Sequence, residues 1–136
     1  MIKVIVFDFD GVLADSNRIK HDAWHDVFAD LGPGEKKVAL GIYHGVYGLT
    51  RRIILENVFK ALGRPENQLQ NFVEVRSARY NSITQDGILK SGLVSGAREL
   101  LEEYCQKYAL YIDSSTPKDA LDETIDNLGI RKYFKE

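Results

Sequence analysis

Apolar and polar positions divide the chain into segments of two periodicities. It opens on a β-branched apolar run, Ile2-Lys3-Val4-Ile5-Val6-Phe7. Its length and composition predict a strand buried on both faces, as in a parallel sheet. Helical spacing takes over after Asp15-Ser16, which supply N-cap chemistry. Ile19, Ala23, Val27, Phe28 and Leu31 then recur on one face, until Gly32-Pro33-Gly34 stops the helix. A weaker helical region follows from Glu35 to Gly45. Thr50 is placed to cap a helix carrying Ile53, Ile54, Val58 and Leu62, with Gly63 at its C′ position. Pro65 opens the next element, which bears Leu69, Phe72, Val73, Tyr80 and Ile83. Residues 17–84 thus predict a block of helices without a strand. Gln85-Asp86-Gly87 is expected to end it, and Ser91-Gly92 and Ser95-Gly96 to continue an irregular stretch.

Beyond that break the spacing of Ala97, Leu100, Leu101, Tyr104 and Tyr108 predicts another helix. Ala109-Leu110-Tyr111-Ile112 is a short second strand, ending at Asp113-Ser114-Ser115-Thr116. Pro117 begins a helix with Ala120, Leu121, Ile125 and Leu128, capped by Gly129, and Tyr133-Phe134 begin a further element. Strand, helical insertion, helix, strand, helix is a βαβ unit carrying an insert, so the fold class is α/β. In such sheets ligands bind at the carboxyl ends of the strands. The two polar clusters, Asp8 to Asp10 and Ser114 to Thr116, both fall there.

Composition narrows the class. At 136 residues the chain is one ordinary domain, and 44% apolar with 28% charged residues excludes a disordered or fibrous chain. Eighteen basic against twenty acidic residues give a net charge of −2, without the basic excess of a nucleic-acid binder. The single cysteine excludes an internal disulfide framework and fits a reducing compartment. No stretch approaches the apolar length of a membrane span, and Asp8 and Asp10 interrupt what would be a signal-peptide core. A cytoplasmic enzyme or binding domain, with no membrane partner, is expected.

The chemistry sits in the acids. Asp8 and Asp10, two apart at a strand end, can both reach one crevice, where their mutual repulsion calls for compensation. Mg²⁺, which takes one or two carboxylates and keeps several waters, is the natural one. A carboxylate beside that ion can attack a phosphoryl group, while the second acid trades a proton with the leaving oxygen and then with water. Gly11 permits a sharp turn that brings amide N–H groups near a phosphate. Ser114, Ser115 and Thr116 before a helix make an oxyanion site, or else ordinary caps. A lone D-x-D more often only solvates a loop; D-x-D-G directly after an apolar strand is far more specific. His21 and His25 are four apart on one helix, a metal-compatible spacing with nothing adjacent to complete a site. Cys105 reads as a small buried hydrophobe, and Glu99, Glu102, Glu103 and Lys107 as a solvated helix face.

The segment Asp8-Phe9-Asp10-Gly11-Val12-Leu13-Ala14-Asp15-Ser16 resembles the first motif of the haloacid dehalogenase-like (HAD) hydrolase superfamily. Tyr111-Ile112-Asp113-Ser114-Ser115-Thr116-Pro117 resembles its second, and the helical block resembles the cap of the phosphoglycolate phosphatase-like subgroup. The resemblance implies a Rossmann-like parallel sheet core over 1–14 and 91–136, incomplete at its C-terminus, with an inserted α-helical cap over 15–90. It implies Asp8 as nucleophile and Mg²⁺ ligand, Asp10 as general acid/base with its carbonyl on the metal, and Ser114 as a phosphoryl contact, with Ser115 beside it. Family dehalogenases lack the second acid, so Asp10 argues for phosphoryl transfer. Tyr43-His44 and Gly48-Leu49-Thr50-Arg51 are similar to a cap segment that faces the active site, which implies His44 and Arg51 as substrate contacts. For Arg51 a solvated first helical turn is an equal alternative.

The family's third motif, a lysine, and its fourth, one or two acids, normally follow the position of Glu136. The resemblance therefore implies a shortened chain, with weak Mg²⁺ binding and little turnover. Ile2–Phe7 is expected to have an open apolar edge, covered by self-association with a partner chain or by C-terminal residues rearranging across it. The expected function is a Mg²⁺-dependent phosphatase acting on a small phosphorylated metabolite through an aspartyl phosphate. A non-catalytic phosphometabolite-binding or regulatory domain is the alternative, and a mutase using the same intermediate stays open. A signalling receiver is disfavoured, because both acids follow the first strand.

Overall fold

The computed structural model describes residues 2–46 and 48–135. It divides into two units, one formed by Met1–Ile19 with Thr84–Glu136 and the other by Lys20–Ile83. The first unit is the βαβ frame. β1 (Val4–Asp8) and β2 (Ala109–Asp113) pair in parallel, in the register Val4↔Ala109, Val6↔Tyr111 and Asp8↔Asp113. The chain also builds α1 (Asn17–Val27), α2 (Pro33–His44), α3 (Arg51–Ala61), α4 (Leu69–Ser91), α5 (Ala97–Tyr104) and α6 (Lys118–Asn127). Short 3₁₀ turns lie at Glu66–Gln68 and Arg131–Tyr133.

Alternation along β1 places Ile5 and Phe7 on one face of the sheet, with Leu110 and Ile112 of β2. They pack on Leu101 of α5, Ile125 of α6, Ile130 and Tyr133. The other face is bare. Val4 is 51% and Val6 59% exposed, and Tyr111 beside them is also exposed. The apolar run therefore signalled a parallel strand correctly but not burial on both faces: helices cover one side only. The C-terminal residues do not cross the free edge of β1. The Lys135 N–H donates to the Leu110 carbonyl of β2 at 2.9 Å, and Phe134 meets Phe7 edge to face at 6.4 Å.

The helical block is continuous with α4, which runs through Gln85-Asp86-Gly87 instead of stopping there. Packing overrides the local breaker. A Cβ on Gly87 would lie 2.6 Å from Ile19 Cγ2, so the glycine is what lets α4 approach the start of α1 this closely. Ile19 and Ile88 consequently join the sheet unit's core, and the division falls inside α1 and α4 rather than at residues 15 and 90. The two segments that lead into and out of the insert run side by side. Ala14 and Leu93 form an antiparallel bridge, and the Val94 N–H donates to the Leu13 carbonyl at 2.9 Å. In the other unit Trp24 centres an aromatic core, stacked on Tyr43 at 5.0 Å and Phe28 at 5.6 Å, with Tyr80 at 5.2 Å.

Candidate functional site

The register Asp8↔Asp113 fixes the site's first feature: both carboxylates leave the strand ends on the same, uncovered face. Val6, Asp8, Asp113, Ser114 and Ser115 line one open cavity of about 510 Å³. Asp8 and Ser114, far apart in sequence, thus share a space. Neither Asp8 nor Asp113 has a basic partner among the described residues. Asp8 accepts only the Phe9 N–H, at 2.7 Å. Asp113 is an acid that sequence reasoning passed over. The signal was available, because Asp113 alternates with Tyr111 on the same face as Val6 and Asp8.

Asp10 is held differently. Its Oδ1 accepts the Ser16 hydroxyl at 2.6 Å, and its Oδ2 the Thr116 hydroxyl at 3.3 Å. Ser16 is fully buried and donates to Asp10, so its hydroxyl serves the site as well as the start of α1. Thr116 ties the end of β2 to the loop after β1. Its own N–H donates to the Ser114 hydroxyl at 3.1 Å, which orients that side chain. The N-cap position of α6 is held by Pro117, with no side-chain cap bond. The same holds at α3, where Thr50 occupies the N-cap position but makes no cap bond.

Gly11 has φ +73°, and a Cβ there would lie 2.2 Å from Asn17 Nδ2. Its N–H is used internally, donating to the Ala14 carbonyl at 2.8 Å. Its contribution to the loop is conformational: it closes the turn that brings Asp10 to Ser16.

The remaining candidates lie in the unit Lys20–Ile83. Arg51 is half-buried at the start of α3. Its Nη1 donates to Asn81 Oδ1 at 2.6 Å and to the Ser77 carbonyl at 3.4 Å, and its guanidinium sits 4.3 Å from the Tyr80 ring centroid. Burial pushes its pKa down from the ordinary arginine value, opposed by Tyr80. It is not a solvated first-turn residue; Arg52 is, paired with Glu56 four residues on at 2.7 Å. His44 is exposed and lies against Tyr43 at 5.0 Å, His21 at 5.4 Å and His25 at 6.3 Å, so the structure brings all three histidines of the chain together. No three His, Cys, Asp or Glu side chains gather as a metal shell among the described residues. No described helix is long and apolar enough to cross a membrane.

Known proteins share the fold over almost the whole chain. A Streptococcus pneumoniae hydrolase of the haloacid dehalogenase-like family, SP0104, is 27% identical. It superposes with a TM-score of 0.62, over 98% of this chain and 59% of its own. YfnB of Bacillus subtilis, a HAD-type hydrolase solved with magnesium bound, is 18% identical with a TM-score of 0.63, over 98% and 63%. A β-phosphoglucomutase of Clostridium difficile is 21% identical with a TM-score of 0.65, over 99% and 60%. The chain spans about three fifths of the length of these proteins. The family's sequence profile matches residues 5–136, from the middle of β1 to the last residue. Two parallel strands whose carboxyl ends bring acids and hydroxyls together, an inserted helical block and that match make the chain a member of the haloacid dehalogenase-like hydrolase family.

Proposed function

We propose that this chain carries the nucleophile and phosphate-binding elements of a Mg²⁺-dependent phosphatase for a small phosphorylated metabolite. One observation carries the reading: Asp8 and Ser114 line the same cavity at the carboxyl ends of two parallel, in-register strands. The donor set fits the metal. Asp8, with the Asp10 backbone carbonyl, offers hard oxygen ligands, and Mg²⁺ needs only one or two carboxylates because it keeps water in the rest of its shell. Asp113, beside Asp8 and without a basic partner, adds to the negative charge that a divalent cation would neutralise. When bound, the ion would offset the phosphoryl charge that otherwise repels Asp8.

The residues then divide the work. The Asp8 carboxylate attacks phosphorus, and the bond to the leaving oxygen breaks as the aspartyl phosphate forms. Asp10, oriented by Ser16 and Thr116, gives its proton to that oxygen. It next takes a proton from water, whose oxygen attacks phosphorus, releasing phosphate and restoring Asp8. Ser114 and Ser115 donate hydrogen bonds to the phosphoryl oxygens. Arg51 is the candidate for an anionic part of the substrate, and His44 for a further polar contact. The reading places the protein in the cytoplasm, consistent with its single cysteine.

The test separates phosphorylation from turnover. The chain is incubated with acetyl phosphate and Mg²⁺, quenched in acid, and mapped by mass spectrometry. One phosphoryl group is expected on the peptide containing Asp8, lost with EDTA and in Asp8→Asn. A label that persists in Asp8→Asn, or that maps elsewhere, refutes the assignment. Phosphate release from para-nitrophenyl phosphate then measures the second half-reaction, which Asp10→Asn is expected to slow by about 10²–10⁴-fold. Binding of a phosphometabolite with no label on Asp8 would favour the non-catalytic alternative.

A further inference from the structure

The unit Lys20–Ile83 contains a second cavity, of about 220 Å³, which shares no residue with the strand-end site. Its floor is aromatic, made of Phe59 and Phe72, and Arg64 and Arg76 stand over it. Arg76, on α4, is only 6% exposed. Its Nη2 donates to Asp30 Oδ2 at 2.8 Å, and its guanidinium lies 3.9 Å from the Phe72 ring centroid. Its Nε–H is buried and has no acceptor among the described residues. An unsatisfied buried donor costs on the order of 1–3 kcal/mol, and native proteins keep few of them.

A second guanidinium lines the same cavity. Arg64 Nη2 donates to both Glu35 oxygens, at 3.0 and 3.3 Å, and its guanidinium is 5.7 Å from the same Phe72 ring. Burial pushes the Arg76 pKa down; Asp30 opposes this, while Arg64 and Arg79 add to it. Two guanidinium groups line this spot, each with one carboxylate partner, Arg76 with Asp30 and Arg64 with Glu35. Asn67, Gln68 and Asn71 complete the lining with exposed side-chain amides. Two guanidinium groups beside phenyl rings, one of them buried with an unmatched N–H, and a rim of exposed amides match an anion with an apolar body. At ~30 Å³ per water the cavity has room for about seven waters, the size of a single oxyanion group on a small carrier.

We propose that this cavity binds a small organic anion, its carboxylate or phosphate held by Arg64, Arg76 and the rim amides and its apolar part by Phe59 and Phe72. The site is independent of the phosphatase reading and is expected to survive its failure. The test is a titration of the ¹⁵N-labelled chain, followed by NMR, with benzoate and, separately, with inorganic phosphate. Saturable shifts of backbone amides within residues 59–76 are expected. Saturation by benzoate alone shows that the ring is required. Saturation by both shows that the oxyanion suffices, and by phosphate alone that the carrier is dispensable. Arg76→Gln removes a buried group and risks the fold, so the deciding variant is Asn71→Asp, which sets a carboxylate at the exposed rim. It is expected to weaken binding about tenfold or more, with the thermal midpoint unchanged. The proposal is overturned if neither probe gives saturable shifts there, if shifts are confined to residues 8 and 113–116, or if Asn71→Asp binds as tightly as the parent.

Discussion

Two helix-interior glycines allow opposite predictions from one substitution. Replacing glycine by alanine inside a helix is ordinarily worth about 0.5–1 kcal/mol, because the unfolded chain loses freedom. At Gly41, in α2, a new Cβ meets nothing within 4 Å, so Gly41→Ala is expected to stabilise by about that amount. At Gly87 the new methyl would stand 2.6 Å from Ile19 Cγ2, 3.5 Å from its Cγ1 and 3.6 Å from its Cβ. Comfortable carbon–carbon contact begins near 3.5 Å, so α4 or Ile19 must give by about 1 Å. Overpacking of this kind costs about 1–3 kcal/mol, which exceeds the helical gain. Gly87→Ala is therefore expected to destabilise by about 1–2 kcal/mol. Urea unfolding measures both, by far-ultraviolet circular dichroism and by the fluorescence of Trp24, the single tryptophan, which reports on the unit that holds Gly41. Ile19→Ala removes the offending methyl, so in that background the Gly87→Ala penalty is expected to vanish. A Gly87→Ala protein as stable as the parent, or a penalty unchanged by Ile19→Ala, would refute the close-approach argument.

Other expectations follow from the site and the surface. Gly11→Ala forces an L-residue to φ +73° and against Asn17; about 1–2 kcal/mol of stability is expected to be lost by thermal melting, and Asn17→Ala should return only the part due to the clash. Ser16→Ala removes the buried donor to Asp10 and is expected to cost about 1–3 kcal/mol in urea unfolding and to lower phosphate release along with it. On α6, Lys118 first and then Arg131 hold the Asp122 carboxyl below its usual pKa range. A carboxyl lowered in the folded state stabilises the fold above its unfolded pKa, near 3.9, and stops doing so as pH falls through the folded value. The stability gap between parent and Asp122→Asn is thus expected to be flat at neutral pH and to close in acid, and a gap that widens in acid would contradict this.

What was legible in the chain was what depended on local chemistry. The run Val4–Phe7 and the polar residues after each strand were enough to locate β1, β2 and the Asp8–Ser114 pairing, because a parallel βαβ unit brings strand ends together whatever lies between them. Three things were not legible, and each depends on a distant partner. Gln85-Asp86-Gly87 contains good helix breakers, yet it stays helical because Ile19, nearly seventy positions earlier, fits only against a residue without a side chain. The hydroxyls of Ser16 and Thr116 read as helix caps, and only the folded chain shows both on Asp10. Asp113 became a neighbour of Asp8 through strand register: alternation with Tyr111 gives its face, and only the pairing sets it beside Asp8. The bare sheet face escaped for a related reason: a strand covered by helices on one side and a strand covered on both can have the same apolar sequence.

That bare face has a consequence for how the protein behaves before any chemistry begins. Val4, Val6 and Tyr111 side by side in water are the kind of surface that chaperones bind on unfinished proteins and that fluorescent hydrophobic dyes stain. Yield and solubility during production will therefore answer to changes at Val4 sooner than catalysis does. A lysine at Val4, which does not line the strand-end cavity, is expected to raise the soluble fraction while leaving Asp8 in place.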